Sequence, residues 1–87
     1  MNPRSKWEII LDMLIAISEE ERNRGAKKTR IMQKAYLDWK NFERHFGFLM
    51  EHGFVRNVVD SEENKRYELT EKGEELLKKL MELEKML

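Results

Sequence analysis

Residues 29–54 read TRIMQKAYLDWKNFERHFGFLMEHGF, and this stretch decides the fold that we expect. It divides into a short amphipathic helix, a three-residue break at residues 36–38, and a longer amphipathic helix over residues 38–52. Two helices joined by so tight a turn form a helix-turn-helix, whose second helix can enter the major groove of DNA.

Capping residues and apolar spacing define the two helices. Thr29 is expected to cap the first helix and Asp38 the second, while Gly53 stands where a left-handed residue ends a helix. The apolar positions are Ile31, Met32 and Ala35 in the first helix and Phe42, Phe46, Leu49 and Met50 in the second. The other faces of the second helix carry Trp39, Lys40, Asn41, Glu43 and Arg44.

Length and composition exclude most other classes of protein. At 87 residues the chain forms one small domain without room for a deep catalytic cleft, so we do not expect an enzyme. It has no cysteine, which excludes disulfides and thiolate metal sites and favours a reducing cytosol. No apolar run approaches about 18 residues and no signal peptide is evident, so we expect a soluble, cytoplasmic protein outside the membrane.

No small-molecule chemistry is indicated by the sequence. There is no glycine-rich loop to hold a phosphate, and the serines form no plausible catalytic triad. His45 and His52 are seven residues apart on one predicted helix, too far for joint ligation of a metal within a turn. We therefore predict no cofactor, no metal and no small-molecule substrate.

The net charge of zero hides an uneven distribution. Residues 22–44 contain eight basic and two acidic residues, a net charge of +6, whereas residues 1–21 and residues 60–87 each carry −3. The basic block coincides with the predicted helix-turn-helix, as a phosphate-binding surface requires. A solvated lysine-rich surface, balanced elsewhere in the chain, is the alternative interpretation.

A further helix is expected before this unit. Ser5 and Glu8 have the spacing of a capping box and precede an apolar run. The apolar surface of this helix exceeds the needs of one neighbour, which suggests contact with both the core and a second helix or subunit. It consists of Trp7, Ile9, Ile10, Leu11, Met13, Leu14, Ala16 and Ile17. Residues 23–28 are expected to form a loop or a very short strand.

A β-hairpin is predicted after the helix-turn-helix. Its strand-forming residues are Val55, Val58 and Val59 on one side and Tyr67 and Leu69 on the other, with a polar turn at residues 60–64. A hairpin directly behind a recognition helix is the wing of a winged helix. Lys65 and Arg66 lie where a wing can reach a phosphate, although a hairpin that only covers the core is the alternative.

The C-terminal segment is predicted to be a helix that Thr70 caps, with Glu71 in its first turn. Its leucines recur at intervals of four, three and four, the seam of a short coiled coil, at Leu76, Leu80, Leu83 and Leu87. We therefore divide the chain into a winged helix-turn-helix at residues 1–69 and a dimerisation helix at residues 70–87. Packing of this helix within its own chain, against the first helix, is the alternative.

The segment KTRIMQKAYLDWKNFERHFGFLMEHGFV, followed by YELTEKGEELL, resembles the archaeal winged helix-turn-helix family that includes the ten-kilodalton Sulfolobus DNA-binding protein. The most specific parts are KTRIM at residues 28–32, HGF at 52–54 and LTEKG at 69–73. The resemblance implies a winged helix with a long C-terminal helix, an antiparallel coiled coil in a homodimer, and binding of double-stranded DNA. Because this chain is neutral, a transcription regulator fits better than a non-specific chromatin-type protein.

These observations together predict a mainly α (α+β) winged helix-turn-helix that reads the major groove. Lys40, Asn41 and Arg44 are expected to face bases and phosphates, because Asn can pair with adenine and Arg with guanine. Trp39 is expected to pack against a sugar or a base methyl, or to be partly buried against the turn. The flanking phosphates are assigned to Lys27, Lys28, Arg30, Lys65 and Arg66.

A second function remains open from the sequence. In a protein-interaction winged helix, Trp39, Phe48 and the leucine helix would form the surface for a protein partner. The basic block would then be incidental to the function.

Overall fold

The structure, a computed structural model, describes residues 4–58 and 65–86. Within these residues the helices are α1 (Lys6–Glu19), α2 (Lys28–Lys34), α3 (Trp39–Glu51) and α4 (Glu71–Met86), and the strands are β1 (Val55–Asn57) and β2 (Tyr67–Leu69). A single 3-10 turn, Glu21–Asn23, lies between α1 and α2.

Helix α1 supplies more of the core than any other element. Its capping box is confirmed: the Ser5 hydroxyl accepts the Glu8 amide at 3.2 Å, and the Glu8 carboxylate accepts the Ser5 amide at 3.1 Å. Its buried side chains are Ile10, Leu11, Met13, Leu14, Ala16 and Ile17. They contact α2, β2 and α4, so the broad apolar surface serves several neighbours at once.

Of the two caps predicted for the helix-turn-helix, one is present and one is not. Asp38 caps α3, since its carboxylate accepts the Asn41 amide at 2.8 Å. Thr29 does not cap α2, because the helix already begins at Lys28 and its N-cap residue is Lys27, which makes no side-chain cap. Tyr36 takes a left-handed conformation with φ of 55° and so permits the sharp change of direction.

Helix α3 buries one face and ends in a Schellman motif. Its buried residues are Phe42, His45, Phe46 and Leu49. Met50 was expected on this face but is 36% exposed, because it lies one residue, about 100° around the helix, beyond Leu49. Gly53, with φ of 73°, closes the helix as predicted: the Phe54 amide donates to Leu49 at 2.9 Å and the Gly53 amide to Met50 at 3.1 Å.

The hairpin strands pair as predicted. They are antiparallel, with Val55 opposite Leu69 and Asn57 opposite Tyr67. Within residues 23–28, predicted as a loop or a very short strand, Ala26 forms one isolated bridge to Tyr67 through backbone hydrogen bonds of 2.7 and 2.9 Å. Val59 and the predicted turn at residues 60–64 lie outside the described residues.

Helix α4 begins as predicted and packs against the rest of the domain. The Thr70 hydroxyl accepts the Gly73 amide at 3.1 Å and donates to the Gly53 carbonyl at 2.6 Å. Leu76, Leu77 and Leu80 are half-buried against the core. Leu83 is 55% exposed, and Leu87 lies outside the described residues. The division of the chain at residues 69 and 70 stays a prediction.

This arrangement is the winged helix-turn-helix that the sequence predicted, with α2 and α3 as the helix pair and β1 and β2 as the base of the wing. Each helix in the described part of the chain is too short or too polar to cross a membrane.

The junction between the wing and α4 yields a prediction about stability. A methyl group at Gly73 would lie 2.0 Å from the Phe54 carbonyl oxygen, a backbone atom that cannot move independently. Gly73→Ala is therefore expected to lower the free energy of unfolding by about 1–3 kcal/mol, as overpacking typically does. Urea denaturation measures this, with exposed Glu74→Ala as the neighbouring control; equal stability of the two variants would contradict the observed packing.

Candidate nucleic-acid interface

The outward face of α3 carries two of the residues predicted to face bases, Lys40 and Arg44. Lys40, Arg44, Gly47 and Glu51 follow each other at steps of four, three and four, so they form one line along the helix, which we call the outer line. It lies opposite the buried Phe42 and Leu49. Lys40 and Arg44 are exposed, and their side chains make no hydrogen bond or ion pair with another described residue.

Asn41 lies beside the outer line and is half-buried. Its amide nitrogen Nδ2 donates to the Asp38 carboxylate at 3.1 Å, which holds the side chain at the start of α3. His45, which was not predicted to be buried although it lies three residues after Phe42, is buried, and its Nδ1 lies 2.7 Å from the Asn41 carbonyl oxygen. Across residues 4–58 and 65–86, no three His, Asp or Glu side chains are grouped so that they could hold a metal ion.

Two aromatic side chains are exposed where the turn meets α3, Tyr36 in the turn and Trp39 at the start of the helix. Trp39 is 55% exposed and stacks on Phe42, with ring centroids 5.8 Å apart. Tyr36 is 87% exposed. The sequence analysis did not select Tyr36 as a binding residue, because its exposure follows from the left-handed backbone at the turn.

A basic cleft lies beside the helix pair. It is an open cavity of about 550 Å³ between α2, the 3-10 turn and the residue before β2, and its charged lining residues are Arg22, Arg24, Lys27, Arg30, Arg66 and Glu20. Five of these six side chains are cations. Sequence analysis assigned phosphate contacts to Lys27, Arg30 and Arg66, and the structure brings these three residues to one cavity.

Glu20 organises the cleft, and the sequence analysis missed it. Glu20 is only 6% exposed, and its carboxylate accepts hydrogen bonds of 2.6 Å from both Arg30 Nε and Asn23 Nδ2. These hydrogen bonds lower the pKa of the Glu20 carboxyl below its ordinary value, and the bond from Arg30 has a larger effect than the bond from Asn23. A buried carboxylate with such partners fixes the position of Arg30 at the edge of the cleft.

Arg66 is also held in place. Its Nη1 donates to the backbone carbonyls of Asn23 at 3.0 Å and Gly25 at 3.3 Å. This joins β2 to the loop before α2. Lys65 is exposed and lies two residues before β2.

Three cations of the basic block are paired within the chain. Arg30 and Lys34 contact Glu20, and the Lys28 ammonium lies 3.7 Å from the Glu43 carboxylate and 5.2 Å from the centre of the Phe46 ring. The side chains of the other five are unpaired with any described residue: Arg22, Arg24, Lys27, Lys40 and Arg44. The available positive charge is therefore smaller than the count along the sequence suggests.

Arg4 holds the helix-turn-helix turn and was also missed. Its Nη1 donates to the Asp12 carboxylate at 2.7 Å and to the Ala35 carbonyl at 2.8 Å, and its Nη2 donates to the Tyr36 carbonyl at 3.0 Å. A guanidinium group thus satisfies carbonyl groups at the end of α2. Arg4 and Ala35 are 31 positions apart in the sequence, so no local sequence pattern predicts their contact.

Comparisons with known sequences agree with the fold. A family model described as winged helix-turn-helix matches residues 3–87. Two uncharacterized proteins of Methanocaldococcus jannaschii are each 40% identical over 80 residues, which is 92% of this chain. The alignment covers 73% of the first relative but only 34% of the second, so the chain spans about a third of the latter's length.

Solved structures of similar fold come from archaea and bacteria. Sso10a-2, a DNA-binding protein from Sulfolobus solfataricus, superimposes with a TM-score of 0.79 at 24% identity, over 95% of this chain and 81% of that chain. A MarR family transcription regulator, SP03579, gives a TM-score of 0.71 at 15% identity, over 98% of this chain and 54% of that one. At these identities the similarity shows the fold alone.

The cleft gives a prediction about pH and stability. The pKa of Glu20 is lower in the folded chain than in the unfolded chain, where it is near 4.5. The ionised carboxylate therefore stabilises the fold fully above about pH 4.5, and this stabilisation is lost as the pH falls through the pKa of the folded chain. Glu20→Gln should lower the free energy of unfolding at pH 7 by about 1–3 kcal/mol, since it weakens charge-assisted hydrogen bonds. The difference from wild type should shrink below pH 4.5.

Denaturant unfolding from pH 7 to pH 3 measures this difference, with exposed Glu51→Gln as the control carboxylate. A Glu20→Gln deficit that does not change with pH would show that the charge of Glu20 is irrelevant.

Proposed function

Because this chain belongs to the winged helix-turn-helix family, we propose that it binds double-stranded DNA, with α3 in the major groove. The observation that carries the proposal is the outer line of α3. Its two cations, Lys40 and Arg44, have no partner among the described residues, although most neighbouring cations on α2 do. Charges left free on a helix whose opposite face is buried are available to an external polyanion.

Bases are read in this proposal by Lys40, Asn41 and Arg44. The arginine can make two hydrogen bonds to guanine, and each such pair contributes about 1–3 kcal/mol of discrimination. Asn41 keeps its carbonyl oxygen and a second N–H for an adenine while one N–H donates to Asp38. Trp39 and Tyr36, at the N-terminal end of α3, offer apolar surface to sugars and thymine methyl groups.

Phosphates are held on the flanks of α3. Lys27, Arg30 and Arg66 line the basic cleft, where Arg30 and Arg66 are already fixed by hydrogen bonds to their own chain. Such fixed guanidinium groups lose little conformational freedom on binding a phosphate. Lys28 joins them if it exchanges Glu43 for a phosphate, and Lys65 extends the contact along the wing. These contacts position the protein and carry little sequence information.

A role in transcription regulation is the most economical use of such a domain. The solved proteins of similar fold include one named a DNA-binding protein and one named a transcription regulator, which supports this assignment without establishing it. An archaeal regulator of this kind would act in the cytoplasm, where the DNA is. The zero net charge favours a few specific sites over coating of the genome.

A homodimer is the second part of the proposal. An open apolar groove of about 580 Å³ runs between the start of α1 and the end of α4, lined by Trp7, Leu11, Leu76, Leu80 and Leu83. Its own chain fills it incompletely: of the lining residues, Trp7 is 49% exposed and Leu83 is 55% exposed. We assign the groove to α4 of a second copy, because the leucine spacing is that of a coiled-coil seam.

A protein partner at the turn is the alternative function. Exposed Tyr36 and Trp39 favour it, since aromatic side chains are enriched at protein interfaces. Salt distinguishes the two functions: affinity for DNA falls steeply with salt because counterions are released, whereas an apolar protein interface is nearly insensitive.

Two variants distinguish base reading from phosphate contact. Arg44→Ala should weaken binding to a preferred site by about 1–3 kcal/mol and random duplex much less, because it removes a base contact. Lys27→Ala should weaken both duplexes equally and reduce the salt slope by about one. Fluorescence anisotropy at two salt concentrations measures both; equal losses for Arg44→Ala on all duplexes would exclude the base-reading role.

The groove gives a test of the dimer. Leu83→Glu should convert the wild-type dimer to a monomer without unfolding it, because Leu83 is already 55% exposed in the single chain. Lys78→Glu places the same residue on the opposite, exposed side of α4 and should leave the mass unchanged. Light scattering measures the mass, and circular dichroism checks the fold. A wild-type monomer, or a Leu83→Glu dimer, would contradict the proposed interface.

A further inference from the structure

Three of the four glycines have a reason within the chain. Gly25 and Gly53 adopt φ of 103° and 73°, conformations that disfavour side chains. Gly73 lies so close to the Phe54 carbonyl that a methyl group would overlap it at 2.0 Å. Each of these glycines is thus explained by the fold.

Gly47 has no such reason. It lies in the middle of α3, where glycine is the least favourable residue apart from proline. Its backbone is not left-handed, and a methyl group placed on it would find no described atom within 4 Å apart from its chain neighbours and the backbone of the same helix. Alanine would fit there and favour the helix, so nothing within the fold accounts for the glycine.

The position of Gly47 on the outer line suggests a reason outside the fold. It follows Arg44 by three residues on the outer line, next to the two cations that have no partner among the described residues. A residue without a side chain leaves bare backbone on this line, and glycine is the usual residue where the backbone must approach a ligand closely. Glu51, one turn further on, is exposed and would be repelled by phosphates.

We propose that Gly47 is a positioning residue, whose missing side chain lets the backbone of α3 contact the wall of the DNA groove. This inference rests on the proposed function and deepens it. The close contact at Gly47 sets the depth of α3, so that Arg44 and Lys40 reach the base edges. Helix α3 enters the DNA groove no further than its helical turn at Gly47, and Glu51 remains at the rim of the groove. A purely electrostatic approach, with α3 held away from the DNA, is the competing arrangement.

The experiment uses the full chain with Gly47→Ala and Gly47→Lys. Gly47→Ala should raise the melting temperature by about 2–8 °C, because alanine favours the helix. It should also weaken DNA binding about ten-fold or more, because the added methyl group separates the helix from the groove. Gly47→Lys should weaken binding as well, although it adds a positive charge to this face.

The controls separate failure of this inference from failure of the proposed function. Glu75→Ala, at an exposed position of α4, should leave DNA binding unchanged. If wild type binds duplex and both Gly47 variants bind as well or better, the close approach is wrong while DNA binding stands. A lower melting temperature for Gly47→Ala, or a changed mass in solution, would assign Gly47 to the fold or the dimer instead and overturn the inference. If wild type binds no duplex, the proposed function itself fails.

Discussion

The orientation of α3 depends on the turn at residues 36–38, and three independent contacts hold that turn. Asp38 caps α3, the Leu37 amide donates to the Met32 carbonyl at 3.0 Å, and Arg4 donates to the carbonyls that end α2. Because the turn is fixed, burial of Phe42 against the core determines which residues of α3 face outward. The proposed DNA-binding surface is thus a consequence of packing on the opposite side of the same helix.

Charge in this protein matters by position and pairing more than by total. The chain is neutral, yet its cations concentrate on α2, α3 and the loop before them. Some of that charge is neutralised locally, and Glu20 shows why this is useful: it offsets the charge of Arg30 but fixes the guanidinium at the cleft. On α3 itself Lys40 and Arg44 stay free among the described residues, so a neutral protein can still present a cationic helix.

Local sequence patterns predicted the elements, whereas contacts between distant residues were out of reach. The caps at Ser5, Asp38 and Thr70 follow from spacings of three residues, and the structure has all of them. The predicted cap at Thr29 is wrong because α2 begins earlier, with Lys27 as an N-cap residue whose side chain makes no capping hydrogen bond. Arg4 and Glu20 could not be found in this way, because their partners are fixed only by the tertiary fold. Which cations remain free likewise depends on those partners.

The central claim is that the outer line of α3 contacts duplex DNA. Nuclear magnetic resonance of the labelled protein, titrated with a short duplex at low salt and again at high salt, tests it most directly. The account predicts the largest shifts in amide signals along α3 at Lys40, Arg44 and Gly47, with smaller shifts at the basic cleft, and loss of both as salt rises. Shifts confined to α4, or no shifts at low salt, would contradict the account.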